Sequence, residues 1–325
     1  MDCPNAFSTW VGLALTGLVL GALYAMIALG YTMVYGVLQL LNFAHSEVFM
    51  VGSFGGLYAL LWLGVQGPRS GLSLVLTLAF AFLVAMAFAG ITAVLLERVA
   101  YRPMRRRGAS RLAYLIAAIG ASLFLSNLFL LLDGERHLGL PFDWPAIAGR
   151  APVNIPDVLE RHELFQILGV SFTNIQLLIF VVAVVMTVVL DMFVRRTKMG
   201  MGIRSVAEDP ETASLMGVSI NLIVTTTFLV GGLMAGAAGL LYAINFGVTQ
   251  FNLGFIPGIK AFTAAVLGGI GNIRGAVLGG VLLGLIENLG IACVSAQWRD
   301  VIAFAVLVLV LMFRPTGILG EQVGG

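Results

Sequence analysis

The residues able to do polar chemistry are few in this sequence, and their grouping limits what that chemistry can be. The densest mixed-charge stretch is GIRSVAEDPETASLMGV, Gly202 to Val218. Asp209 stands where a helix N-cap is needed, Pro210 suits the first helical position, Glu211 favours the positive helix end, and Gly217 can close the helix. Two short helices should therefore follow one another, with Val206, Leu215 and Met216 expected to face the rest of the fold and Arg204, Glu208 and Glu211 to face water. A rigid, capped, charged helix pair is what docking of a soluble partner requires. Arg204, Ala207, Glu208, Asp209, Pro210, Glu211, Ala213, Met216 and Gly217 are its candidate residues; a plain capped connecting loop is the alternative. No nucleophile with an adjacent base occurs, and no G-x-x-x-x-G-K-[ST] loop that could cradle a phosphate. Cys3 and Cys293 form no CxxC and stand near no histidine at ligand spacing, so neither a disulfide framework nor a metal site is expected.

A second group consists of polar residues stranded in apolar surroundings, where they are costly unless paired or facing a cavity. Asn42, His45 and Ser46 fall at i, i+3 and i+4, a spacing that shares one helical face, and Glu47 follows them. They suit the mouth or gate of a pathway, or a tight turn fixed by hydrogen bonds. Glu287 lies in an otherwise uncharged block, and Lys260 and Arg274 are its candidate partners. Gly268 and Gly269, between those two basic residues, are candidate helix-breaking positions along the same path.

The elements that must position these groups are set by the scarcity of charge. Of 325 residues, 59% are apolar and 10% charged, against about 25% charged in soluble domains. No Lys, Arg, Asp or Glu occurs between Asp2 and Glu47, nor between Glu211 and Lys260. Each run is long enough for two helices of about 20 apolar residues. An ordinary soluble enzyme is excluded. Uncharged blocks fall near Trp10–Tyr35, Val48–Gln66, Leu72–Leu96, Leu112–Leu132, Gln176–Leu190 (extendable back towards Phe165), Leu222–Phe246, Phe255–Ile270, Gly275–Val294 and Val301–Phe313. Only helices satisfy every backbone group within one segment in lipid, and the alternation of a β-barrel is missing. The expected fold is all-α: one polytopic transmembrane helical bundle over 1–325, with about eight membrane elements.

Basic residues in short loops orient the bundle. The loop ERVAYRPMRRRGASR carries Arg98, Arg102, Arg105, Arg106, Arg107 and Arg111 against Glu97 alone and should be cytoplasmic, as should 195–218, which opens with Arg195, Arg196 and Lys198. The acid-rich loop 133–163 reads as external. This places the N-terminus outside and a tight inside turn near Leu38 to Glu47, while Arg314 alone suggests a C-terminus inside. Gly231 to Gly290 holds 15 of the chain's 40 glycines, among them the pairs Gly232/Gly236, Gly275/Gly279 and Gly280/Gly284. Small residues at this spacing let helix backbones approach, and Gly268, Gly269 and Gly271 can break a helix, giving a broken or re-entrant segment near 258–280.

Five separated motifs, in order, carry a family resemblance: GALYAMIALGYTMVYGVLQLLNFAHSEVFMVGS (Gly21 to Ser53), ERVAYRPMR (Glu97 to Arg105), AEDPETASLMGV, GIKAFTAAVLGGIGNIRGAVLGG (Gly258 to Gly280) and RPTGILG (Arg314 to Gly320). The chain resembles the LivH-type permease subunits of branched-chain amino-acid ABC importers; the external loop is the part without a match. The resemblance implies a bacterial inner-membrane subunit with four kinds of partner: a LivM-like second permease, LivG-like and LivF-like ATPases, a periplasmic amino-acid-binding protein and the lipid bilayer, with no nucleic acid. It implies that Gly202 to Val218 docks the ATPases, and that ATP and Mg are bound by those subunits, with no cofactor on this chain. An importer of urea or short amides, or a self-sufficient secondary transporter, is the alternative.

Overall fold

The structure is a computed structural model and describes residues 6–131, 152–314 and 316–320. In chain order the helices are α1 (Phe7–Leu38), α2 (His45–Trp62), α3 (Gly71–Leu96), a π-helical turn (Glu97–Tyr101) running on into α4 (Arg102–Arg106), and α5 (Arg111–Leu131). A two-residue strand β1 (Val153–Asn154) and a hairpin of β2 (Glu163–Ile167) and β3 (Val170–Thr173) lead to α6 (Asn174–Arg196), α7 (Lys198–Glu208), α8 (Pro210–Leu215) and α9 (Ile220–Phe246). Strand β4 (Val248–Thr249), α10 (Phe255–Gly268), α11 (Ile273–Gly290) and α12 (Arg299–Phe313) complete the described chain. Every uncharged block forms a helix. Among the described residues, seven helical stretches are long and apolar enough to cross a membrane, and α10 is a shorter apolar helix. The protein is thus a multi-pass membrane protein. The fifth block does not extend back to Phe165: Leu168 and Gly169 both have positive φ, +51° and +83°, and turn the chain into a hairpin. A Thr173/Gln176 capping box then starts α6.

The described chain packs as two units. The first comprises Met1–Leu38, Arg161–Val218 and Ile259–Gly325. In it α1 runs antiparallel to α11 with almost no side chain between them. A β-carbon on Gly17 would meet the Gly284 carbonyl oxygen at 2.8 Å, and one on Gly21 would meet Val281 Cα at 2.8 Å. The pair Gly280/Gly284 thus supplies the face for α1, while Gly275/Gly279 face the end of α10 at Gly268 and Ala264. That contact folds α10 and α11 into an antiparallel hairpin, broken where Gly269 and Gly271 take φ of +108° and +96°. The break exposes carbonyls that must find donors. Residues from the closing RPTGILG motif provide them: Ile318 N–H donates to Leu267 O and Leu319 N–H to Gly268 O, each at 2.9 Å. The Asn272 side chain caps α11 by accepting from the Arg274 and Gly275 amides and donates to Leu319 O.

The second unit comprises Gln39–Glu160 and Ser219–Gly258. Helix α2 is its centre, buried at every residue from His45 to Leu60. It crosses α9 where a β-carbon on Gly52 would come 2.5 Å from Gly236 Cα, and Gly232 and Gly236 pack on Ala89, Gly90 and Ala85 of an antiparallel α3. At one end of this unit the α2–α3 turn, residues 152–160 and the end of α9 are tied together. Arg69 N–H donates to Val158 O, Ile155 N–H to Gly247 O, and β1 pairs antiparallel with β4. These are loops that the charge pattern places outside. Of the acid-rich loop 133–163, residues 133–151 lie outside the described residues.

One sequence expectation is corrected at the first unit's external end. Cys293, in the turn after α11, is disulfide-bonded; the other cysteine of the sequence, Cys3, lies outside the described residues. A lone cysteine in the α11–α12 turn carries no spacing signal, so the sequence does not announce its bond. Disulfides persist in oxidising compartments such as the periplasm, so the α11–α12 turn belongs outside and α12 returns the chain to the cytoplasmic side. In spheroplasts, a membrane-impermeant maleimide should label Cys293 only after an impermeant reductant has been added. Labelling that needs membrane permeabilisation would reverse this orientation.

Candidate functional site

The α6–α8 segment is built by local rules. The Thr197 hydroxyl donates to Phe193 O at 2.7 Å and accepts from Gly200 N–H at 2.9 Å, so one residue ends α6 and caps α7. Gly200 lies directly on the Phe193 and Val194 carbonyls, where any β-carbon would overlap. The Arg204 guanidinium donates back to Val194 O. Helix α7 is therefore clamped to the end of α6. Its Gly202, Ile203 and Val206 are buried and Arg204 and Glu208 exposed, with Ala207 between.

Asp209 then caps α8, accepting from Glu211 N–H at 2.9 Å, Thr212 N–H at 3.2 Å and the Thr212 hydroxyl. The hydroxyl of Thr212, then its amide and that of Glu211, hold the Asp209 carboxyl below its ordinary range. The cap therefore persists above the usual carboxylate range and is lost only as pH falls through the lowered value. Pro210 is the first helical residue. The helix closes in a Schellman motif: Gly217, at φ +86°, donates to Ser214 O and Val218 donates to Ala213 O.

Leu215 and Met216 correct the expected amphiphilic pattern. They are 87% and 80% exposed, and Ala213 is the residue α8 buries. The reason is the extended Asp209, which breaks the register between α7 and α8, so that one helical face cannot be projected across both. The result is a platform with acidic Glu208 and Glu211 on its flank and two large apolar side chains at its tip.

Within the first unit, Glu287 and Lys260 meet. Lys260 Nζ lies 2.6 Å from Glu287 Oε1 and 2.6 Å from Asp300 Oδ1, and Arg299 Nε lies 3.6 Å from Glu287 Oε1. Glu287 is 0% exposed, and Lys260 also sits 6.0 Å from the Tyr24 ring centroid. Arg274 is not part of this cluster; it is exposed at the opposite end of α11. Gly268 and Gly269 form the break described above.

In the second unit, Asn42 does not share a helical face with His45 and Ser46, because α2 starts only at His45 and residues 39–44 are a turn. Gln39 makes that turn with φ +51°. Asn42 Oδ1 accepts instead from the Tyr101 hydroxyl at 2.7 Å. His45 is buried. Glu47 is buried in the first turn of α2, where Ser122 of α5 donates to its Oε1 at 3.2 Å.

Glu97 was not singled out by sequence. It is 0% exposed and holds Arg102 at 2.8 Å and Arg105 at 3.2 Å, with the Thr225 hydroxyl donating to Oε2 at 3.1 Å. Arg105 also donates to Asn221 Oδ1 at 2.8 Å. This cluster joins the end of α3 to the start of α9.

The profile of the family described as "Branched-chain amino acid transport system / permease component" matches residues 13–311 of the chain. The chain is 42% identical over 309 residues to the "High-affinity branched-chain amino acid transport system permease protein BraD" of Pseudomonas aeruginosa, with 94% of each chain covered. It is 41% identical over 305 residues to the LivH protein of the same description from Escherichia coli K12, again covering 94% of each. A LivH protein of Salmonella typhimurium is 41% identical over 307 residues, with 94% of each covered.

Proposed function

This chain belongs to the family of permease components of branched-chain amino-acid transport systems, and on that premise we propose that it is the transmembrane subunit of an ATP-driven importer moving leucine, isoleucine and valine inward across a bacterial inner membrane. The observation that carries this is the α7–α8 platform. It is capped, exposed, clamped to a spanning helix by the Gly200 turn, and set on the arginine-rich side of a chain with no phosphate-cradling loop of its own. Such a platform transmits force from a soluble partner. ATP and Mg then belong to two LivG/LivF-like ATPases seated on it, a LivM-like permease completes the translocating pair, and a periplasmic binding protein delivers the cargo.

In this scheme nucleotide binding shifts the permease pair between two states only by the difference in its interaction with each. Motion of an ATPase displaces α8, and the Thr197–Gly200 clamp passes the displacement to α6 as a rod. Of the candidate pathway residues, Asn42, Glu47, Lys260 and Glu287 engage their polar groups in ties within their own units, and a gate role for Glu47 and His45, buried at the start of α2, would need those ties to change between the two states. Reconstitution tests the whole reading. Proteoliposomes holding both permeases and both ATPases should take up leucine with binding protein and ATP, whereas vesicles holding this chain alone should not. Leucine uptake by the chain alone would establish a secondary transporter instead. Preference of the cognate binding protein for urea or a short amide would keep the mechanism and change the cargo.

A further inference from the structure

The β2–β3 hairpin serves none of the roles assigned above, and its sequence departs from what its backbone favours. Strand β2 pairs with β3 through Phe165/Phe172 and Ile167/Val170. The two-residue turn Leu168–Gly169 has positive φ at both positions, a geometry that prefers Asn-Gly. A leucine is disfavoured at such a backbone position, yet here it stands at the tip, 63% exposed. Leu164 and Phe165 on β2 are also exposed. Three large apolar side chains are thus exposed on one short hairpin, one of them at a backbone position that disfavours it.

Its packing places it beside the first turns of two spanning helices. Val170 lies against Gly12 of α1, and Gly169 against Ser8. The Phe172 ring stacks on Phe180 of α6 with centroids 6.1 Å apart and planes at 16°, and Phe165 stacks on Phe172 at 4.9 Å. Ser8, Gly12 and Phe180 all lie within the first two turns of α1 and α6, which begin at Phe7 and Asn174. The hairpin therefore folds down beside the spanning helices instead of standing above them. Leu177, Val181 and Val184 continue an exposed apolar flank down α6. The unpaired outer edges of a two-stranded hairpin cannot enter hydrocarbon, which limits its depth to the headgroup zone.

We propose that the β2–β3 hairpin is an interfacial anchor, seated among the headgroups and first acyl methylenes of outer-leaflet phospholipids through Leu164, Phe165 and Leu168. It grips one end of α6, a single 23-residue helix whose other end is the Thr197–Gly200 clamp. The anchor sets the height and tilt of the rod that ends at the docking platform.

The test uses the assembled transporter in phospholipid nanodiscs with Cys293 left in its disulfide. Leu168→Cys and, in a separate protein, Leu164→Cys are labelled with bimane without reductant. Lipids brominated near the headgroup end of the acyl chain should quench each label at least twofold, with aqueous iodide quenching it far less. Iodide quenching equal to or stronger than that by brominated lipid would overturn the proposal. If the binding protein then blocked the iodide, the hairpin would be assigned to that protein and not to lipid. The two positions lie on different parts of the hairpin, so one variant that folds suffices.

Discussion

Lys260→Met is expected to destabilise the protein by about 3–5 kcal/mol, the cost of removing one partner of a buried ion pair. The methionine fills the space of the lysine stem but leaves Glu287 fully buried, with Arg299 at 3.6 Å as the nearest remaining cation. The loss is a penalty on a buried carboxylate left with only the longer Arg299 contact, more than the worth of the pair itself. Two further variants separate those terms. Adding Glu287→Leu to Lys260→Met removes the under-compensated carboxylate and should restore most of the stability, because a buried pair is often replaceable by apolar side chains. Asp300→Asn should cost at most about 1 kcal/mol, since the Asp300 side chain is 49% exposed although it lies as close to Lys260 as Glu287 does. Chemical denaturation of the purified complex in bicelles, read as a double-mutant cycle, checks the ranking. A double variant as unstable as the sum of its singles would mean that Lys260 and Glu287 act independently.

The cluster also shows which contacts a sequence can announce. Glu287 stood out because its block is otherwise uncharged, and a buried acid needs a cation; which of Lys260 and Arg274 supplied it depended on how α10 folds back on α11. The glycine break at 268–271 was legible from residue type alone. That its freed carbonyls are satisfied by Ile318 and Leu319 was not, because those donors lie about fifty positions further on and carry no signal of their own. Glu97 was hidden for a different reason. Its partners Arg102 and Arg105 stand at i+5 and i+8, spacings that do not meet on a regular α-helix. The π-helical turn at Glu97–Tyr101, whose bonds run i to i+5, changes the angle per residue and brings Arg102 onto the carboxylate. A basic loop with one acid thus read as a topology signal, when two of its arginines also serve as structural ties. In the Gly202–Val218 segment the caps were readable residue by residue, since Asp209, Pro210 and Gly217 act locally. The orientation of Leu215 and Met216 was not, because it depends on the register change at Asp209.

That register change makes the platform the place where substitution should do most harm to transport with least harm to folding. Glu211→Lys reverses a charge on an exposed helix, and Leu215→Asp or Met216→Asp replaces an exposed apolar tip. None of the three disturbs Ala213, the residue α8 buries, or the Asp209 cap, so membrane insertion and thermal stability should stay close to those of the parent. A partner that seats on the tip would bury Leu215 and Met216, and truncating or charging such an anchor typically costs 2 kcal/mol or more, about thirtyfold in affinity. The expected outcome for Leu215→Asp with Met216→Asp is therefore at least a tenfold loss of leucine uptake in proteoliposomes, together with weaker co-purification of the ATPase subunits. Glu211→Lys, at the rim, should retain the assembled complex but uncouple it, leaving ATP hydrolysis that binding protein no longer stimulates. Arg106→Glu, in the arginine-rich loop after α3, should alter orientation or assembly and leave stimulation intact in whatever complex forms. If both platform variants import leucine at the parental rate with parental ATPase stimulation, α7 and α8 are only a capped connection between two spanning helices, and the force must enter the bundle elsewhere.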